Sequence, residues 1–217
     1  MNRGPYIFLG AFAILALSWT GAILANQMGH GSVTPYFDSL QGQSFPAKQP
    51  GIVARGEAVY NDLGCAVCHT QQVRREDVGA DLARGWGERA GVVRDYIQDN
   101  LVQLGSNRIG SDLRNVGARF EDADAFYEIL YSPETRAAGM PAYRFLFEES
   151  KIAGEVSEHA LDVDAPEGYQ VVPTERARSL VAYLAYRQDS YVYPEVNFVP
   201  PEPESEDSDE DAAEGGH

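Results

Sequence analysis

The chain has 217 residues, and 33 acidic against 17 basic side chains give it a net charge of −16. That length holds one folded domain plus extensions. The sequence has no basic patch to neutralise phosphates, which excludes nucleic acid as a partner.

From Tyr6 to Ala25 the sequence runs twenty residues without a charge. As a helix rising about 1.5 Å per residue this run covers roughly 30 Å, the hydrocarbon thickness of a bilayer. Arg3 is the sole charge before it, and the first charge after it is the acidic Asp38. The positive-inside rule therefore predicts a cytoplasmic N-terminus and a periplasmic or extracytoplasmic remainder. A cleaved signal peptide would carry a shorter apolar core, about 7–15 residues, and a better small-residue exit than "AILANQ". Residues 1–26 are expected to be an uncleaved, single-pass anchor in the lipid membrane. Residues 27–51, rich in Gly, Pro, Ser and Gln, are expected to be an irregular linker.

Residues 52–190 carry helical periodicity and little two-residue alternation, which predicts a mainly α domain. The first helix presents Val53, Gly56, Val59, Tyr60 and Leu63 on one face, and Gly64 is placed to end it. Two further helical stretches are predicted, one through Val92, Val93, Tyr96, Ile97 and Leu101, the other through Phe126, Ile129 and Leu130 up to Pro133. Residues 148–172 are acidic and expected to form an insertion loop. A last helix, N-capped by Thr174, repeats Ala177, Leu180, Val181 and Leu184. Residues 191–217 are expected to be a disordered acidic tail, since "PEPESEDSDEDAAEGGH" carries eight carboxylates and no Lys or Arg.

Both cysteines lie in "GCAVCHTQQVRR", Gly64 to Arg75. A disulfide between Cys65 and Cys68 would close a very short loop and leave His69 unexplained. A thioredoxin-like dithiol needs a preceding strand, whereas a helix precedes this motif. A structural zinc site needs four ligands, and no second knuckle follows. Cys-x-x-Cys-His also attaches c-type haem: the two thiols form thioethers to one haem edge and His69 stands under the iron. An electron-transfer haem takes a second axial ligand. Met140, between Gly139 and Pro141, is the leading candidate; Met1 is the initiator and Met28 lies beside the anchor. His159 is the alternative, while His30 and His217 fall in linker and tail. The expectation is one covalent haem c, with Cys65, Cys68, His69 and Met140 binding it and His69 and Met140 on the iron. The glycine-punctuated loop Gly105, Gly110, Gly117, around Asp112 and Leu113, is suited to bring a backbone carbonyl to His69. Arg108, Arg114 and Arg119 are candidates to meet the haem propionates.

In the order "GCAVCHTQQVRR", "QLGSNRIGSDLRNVGARF", "YSPETRAAGMPAYRFLF" and "PTERARSLVAYLAY", the chain resembles subunit II of the cbb3-type cytochrome c oxidases, the membrane-anchored mono-haem cytochrome c subunit. The resemblance implies the same four haem-binding residues. It also implies that Gly110-Ser111-Asp112-Leu113 is the loop whose backbone supports the axial histidine. Four positions depart from the family pattern: Ser111 and Arg144 replace Pro, Gln72 replaces Met and Leu104 replaces Trp. The implied fold is a cytochrome c domain whose first and last helices cross, bringing Gly56 and Tyr60 against Leu180, Tyr183 and Leu184. The implied role is electron transfer, without catalysis of its own, within a respiratory terminal oxidase. Its expected partners are the catalytic haem–copper subunit, a further cytochrome c subunit and a donor cytochrome c. A free anchored shuttle, or the cytochrome subunit of a nitric oxide reductase, is the rival within redox chemistry. A non-redox scaffold holding zinc or a disulfide at Cys65 and Cys68 is the rival outside it.

Overall fold

A computed structural model describes residues 3–196, apart from 106, 121, 136–138 and 164. The acidic tail expected at the C-terminus lies, from residue 197 onwards, outside the described residues. Helix α1 (Gly4–Trp19), a wider π-helical turn (Thr20–Leu24) and helix α2 (Ala25–Gly31) run as one apolar helix with no buried side chain. Its 28 residues span about 42 Å, longer than a bilayer's apolar core of roughly 30 Å. It is long and apolar enough to cross a membrane, and it continues five residues past the expected boundary at residue 26.

The expected irregular linker is instead a structured strap. Strands β1 (Tyr36–Asp38) and β2 (Gln43–Phe45) form an antiparallel hairpin with Tyr36 opposite Phe45. Asp38 organises the turn by accepting from the Leu40 and Gln41 amides, at 2.8 and 3.3 Å. The hairpin is held by a distant part of the chain. Phe45 stacks on Tyr191 with ring centroids 3.8 Å apart, and the Tyr191 hydroxyl donates to Asp38 at 3.0 Å. Tyr193, 2% exposed, sits beneath the Arg89 and Arg94 guanidiniums. Residues 191–196, expected to belong to the tail, are thus part of the folded body.

The domain is built on α3 (Gly51–Asp62) crossing α5 (Glu175–Tyr186). A Cβ at Gly56 would overlap the Ser179 carbonyl oxygen and the Tyr183 Cβ, so only glycine admits this approach. Tyr60 and Tyr183 meet one turn along, with centroids 5.4 Å apart. Val53, Ala177, Leu180, Val181 and Leu184 complete the seam. Helix α4 (Asp124–Tyr131) adds Phe126 and Leu130 to the same core. Thr174 caps α5 through the Ala177 amide and donates its hydroxyl to the Leu146 carbonyl at 2.7 Å.

Two expectations fail for the same reason. The helix expected through Val92–Leu101 is a single 3-10 turn, Val93–Tyr96. There Asp95 is turned inwards to pair with Arg89 through two bonds of 2.7 and 2.9 Å, while Val93 is exposed. The insertion loop is bounded by an antiparallel ribbon, β3 (Phe147–Lys151) on β4 (Tyr169–Pro173), whose Phe147, Val171 and Pro173 face the core. In the first place an ion pair six residues back, and in the second a strand further along the chain, overrides the local pattern.

The crossing gives a direct test. Gly56→Val is expected to destabilise the full-length protein by about 1–3 kcal/mol through overpacking. Thermal unfolding in detergent reads this as a lower midpoint; an unchanged midpoint contradicts the packing.

Candidate functional site

The site begins where α3 ends. Gly64 adopts a left-handed conformation (φ 71°) that stops the helix. A 3-10 turn, Cys65–Val67, follows, and the Cys68 and His69 amides both donate to the Cys65 carbonyl, at 3.2 and 2.9 Å. Cys65, Cys68 and His69 therefore share one short turn, each half-buried. The two thiols are unpaired. Burial pushes the Cys65 thiol up to about 11, the opposite of what a reactive dithiol requires. Among the described residues no three His, Cys, Asp or Glu cluster as a metal site would need, so the zinc alternative gains no third or fourth ligand here.

The imidazole is clamped from the glycine loop. The Gly110 amide donates to the Cys68 carbonyl at 2.9 Å, and the Leu113 amide to Thr70 at 2.8 Å. A Cβ on Gly110 would clash with the His69 ring at Cε1. His69 Nδ1 lies 2.8 Å from the Ser111 carbonyl oxygen. A carbonyl only accepts, so Nδ1 carries the proton and Nε2 is left as a bare lone pair. An imidazole fixed in that tautomer offers Nε2 to a ligand-binding partner while its other nitrogen is already braced. The bond uses the backbone oxygen of Ser111, so the contact does not depend on the side chain at that position.

Asp112 holds the clamp shut, a role its sequence position alone does not announce. Fully buried, it accepts from the Thr70 hydroxyl at 2.6 Å, the Gln72 amide at 2.7 Å and the Arg114 amide at 2.9 Å. Arg108 stands 3.5 Å away. The polar run after His69 is explained in the same way. Gln71 is wholly buried, accepting from the Tyr183 hydroxyl through its side chain (3.0 Å) and from the Tyr96 hydroxyl through its backbone (3.2 Å).

Met140 is half-buried after Gly139 (φ 92°). It packs on the same core cluster as Cys65, Ala66, Leu113 and Tyr143. The Tyr143 amide donates to Leu130 at 2.7 Å, tying this loop to α4. Burial raises the Tyr143 hydroxyl's pKa, and both thiols add to the shift, which puts Tyr143 within electrostatic reach of Cys65 and Cys68. His159, by contrast, is exposed on a turn between β3 and β4, and His30 is exposed at the end of α2.

The three candidate arginines separate. Arg114 is sealed between Asp99 and Asp189, donates to the Asp95 carbonyl and lies over the Tyr96 ring, so it is withdrawn as a propionate partner. Arg108 is committed to Asp81 and to the Gln72 carbonyl. Among the described residues Arg119 bonds only the Asp112 carbonyl, and its Nε, like those of Arg108 and Arg187, is buried without a partner. Two thiols, a braced imidazole, a half-buried apolar lining and this orphaned donor fit a covalently held haem.

A family model described as cytochrome c oxidase, mono-heme subunit/FixO, matches residues 47–188. No curated protein matches the chain. The matched span opens just before α3, closes just after α5 and takes in Cys65, Cys68, His69 and Met140.

Replacing the buried anchor tests the clamp. Asp112→Asn turns an amide N–H towards donors and is expected to cost about 1–3 kcal/mol. Thermal unfolding should register this as a fall of roughly 2–4 °C per kcal/mol; a wild-type midpoint contradicts it.

Proposed function

The chain belongs to the mono-haem subunit (FixO) family of cytochrome c oxidases, subunit II of the cbb3 type, and from that premise we propose that it relays single electrons to the oxygen-reducing subunit of such an oxidase. In this reading Cys65 and Cys68 would hold the haem through thioethers, and His69 and Met140 would ligate its iron. The haem, when bound, supplies Fe(III)/Fe(II) cycling. The chain's own residues hold it still. The Ser111 carbonyl keeps the Nδ1 proton of His69 and fixes the ring plane, and Gly110 leaves room for that ring. The Met140 loop is tied down through Tyr143. A thioether ligand from Met140 would raise the potential relative to a second imidazole.

The observation that carries the proposal is the 2.8 Å contact between His69 Nδ1 and the Ser111 carbonyl, with His69 on the same turn as the two thiols. The apolar helix supports a single membrane anchor, and the lone Arg3 before it supports a cytoplasmic N-terminus with the haem domain on the translocated side. The electron donor is then a reduced cytochrome c on that side. The partners are the catalytic haem–copper subunit and a further cytochrome c subunit.

The test is a reduced-minus-oxidised spectrum of the tagged protein purified from native membranes in mild detergent. Haem c and haem b bands in constant proportion through gel filtration are expected. A haem c band alone would favour an anchored shuttle, and no haem c band would overturn the proposal. In the double variant Cys65→Ala, Cys68→Ala, haem is expected to leave the chain on denaturing electrophoresis.

A further inference from the structure

We infer that the β1–β2 hairpin is a second membrane contact, which lays Phe37 and Leu40 into the headgroup layer of the bilayer that the apolar helix crosses. The inference rests on the single-anchor reading above and is independent of the haem.

The hairpin has two unlike faces. Tyr36, Asp38 and Phe45 are half-buried against the domain, whereas Phe37 between them points away and is 61% exposed. Leu40, in the turn, is 96% exposed. Two bulky apolar side chains are thus displayed by an element that is itself well held. The Gly42 amide closes the turn on the Asp38 carbonyl at 2.8 Å, and Tyr191 grips the inner face. Arg94 holds the Thr34 carbonyl at the hairpin's entry and pairs with Glu195 at 2.6 Å. The outward display of Phe37 and Leu40 is therefore a fixed feature of the fold.

Continuity with the anchor says what covers them. The uncharged run ends at Ala25 and the helix at Gly31, a further rise of about 9 Å. A headgroup layer is roughly 5–7 Å deep on each side, so the helix ends just above it. Tyr36 follows Gly31 by five residues, a tether of at most about 18 Å, and a strand from Tyr36 to Leu40 covers about 13 Å. The tip is within reach of the lipid surface on the side where the helix emerges.

Charge favours lipid over a protein partner. Between Arg3 and Lys48 the only Asp, Glu, Lys or Arg is Asp38, and its carboxylate is engaged by the Tyr191 hydroxyl and the Leu40 and Gln41 amides. The outer face offers no ion-pairing group to a charged partner. Apolar side chains without uncompensated charge are what a headgroup boundary accepts, and zwitterionic lipid suffices, since no basic residue is there to seek anionic lipid. With the helix as one support and the hairpin tip as another, the domain keeps one height and tilt over the membrane, and the Tyr191 clasp passes that orientation to the helical body.

The experiment places photoreactive benzoylphenylalanine singly at positions 40, 15 and 156 of the full-length protein, in phosphatidylcholine nanodiscs and in native membranes, and identifies adducts by mass spectrometry. Leu40 is so exposed that its replacement leaves folding alone. Lipid adducts are expected at 15, within the helix, and at 40, with none at 156, an exposed apolar position (62% exposed) between β3 and β4. Adding Phe37→Ser is expected to lower the yield at 40 several-fold. A lipid adduct at 15 without one at 40 overturns the inference alone. So does equal labelling at 40 and 156, or a cross-link from 40 to another polypeptide in native membranes. No adduct at 15 would overturn the single anchor together with this inference, while the haem c band tests the electron-transfer reading separately.

Discussion

A buried carboxylate decides how this domain presents its histidine. Asp112 has no contact with solvent, and its two oxygens collect the Thr70 hydroxyl and the backbone amides of Gln72 and Arg114. Those donors come from two separate stretches, the one leaving His69 and the one following Ser111. Binding both to one anion sets the spacing between them, and that spacing puts the Ser111 carbonyl at hydrogen-bond distance from Nδ1. The position of the imidazole, its tautomer and the direction of its free lone pair all follow. Buried charge of this kind is tolerated because it is fully solvated by protein donors.

The rest of the fold supplies a frame stiff enough for that arrangement. The α3–α5 crossing closes only because Gly56 lacks a Cβ, and it places Tyr183 where its hydroxyl reaches Gln71, two residues past His69. On the opposite flank a buried ion network joins Arg114, Arg187, Asp99 and Asp189. It binds the glycine loop to the end of α5. Beyond it, the Phe45–Tyr191 stack and the Tyr191–Asp38 bond attach the hairpin that follows the membrane helix to the C-terminal strap. The segment after the apolar helix is therefore clasped to the domain, which suits a relay held against a fixed acceptor better than a freely swinging carrier.

What was legible in the sequence was written in residues whose role is local. Cys65, Cys68 and His69 are three positions of one turn. Gly56 and Gly110 mark close approaches by what they lack. Thr174 caps the helix it precedes. What was not legible depends on side-chain partners that the local spacing does not carry, most of them distant in the chain. Val92 to Leu101 has helical spacing, yet Asp95 is drawn into a pair with Arg89 and packed near Tyr193. The hairpin at Tyr36–Phe45 is short and polar, and what holds it is Tyr191. The ribbon of Phe147–Lys151 and Tyr169–Pro173 has weak alternation in either strand alone; its core side is assembled from both. Arg114 was grouped with Arg108 and Arg119 by proximity to the loop, and only the carboxylates around it reveal that it is structural. Asp112 was visible as a residue of that loop, but a burial so complete could not be read from its neighbours.

The central claim is that one turn and one loop deliver His69 and Met140 to the same iron. Proton NMR of the reduced full-length protein tests it most directly, because a methionine methyl over the haem face is moved far upfield by the ring current. A single upfield methyl resonance, present in the wild type and lost in Met140→Leu, is the predicted result. An upfield methyl that survives Met140→Leu, or none in the reduced wild type, would contradict the account.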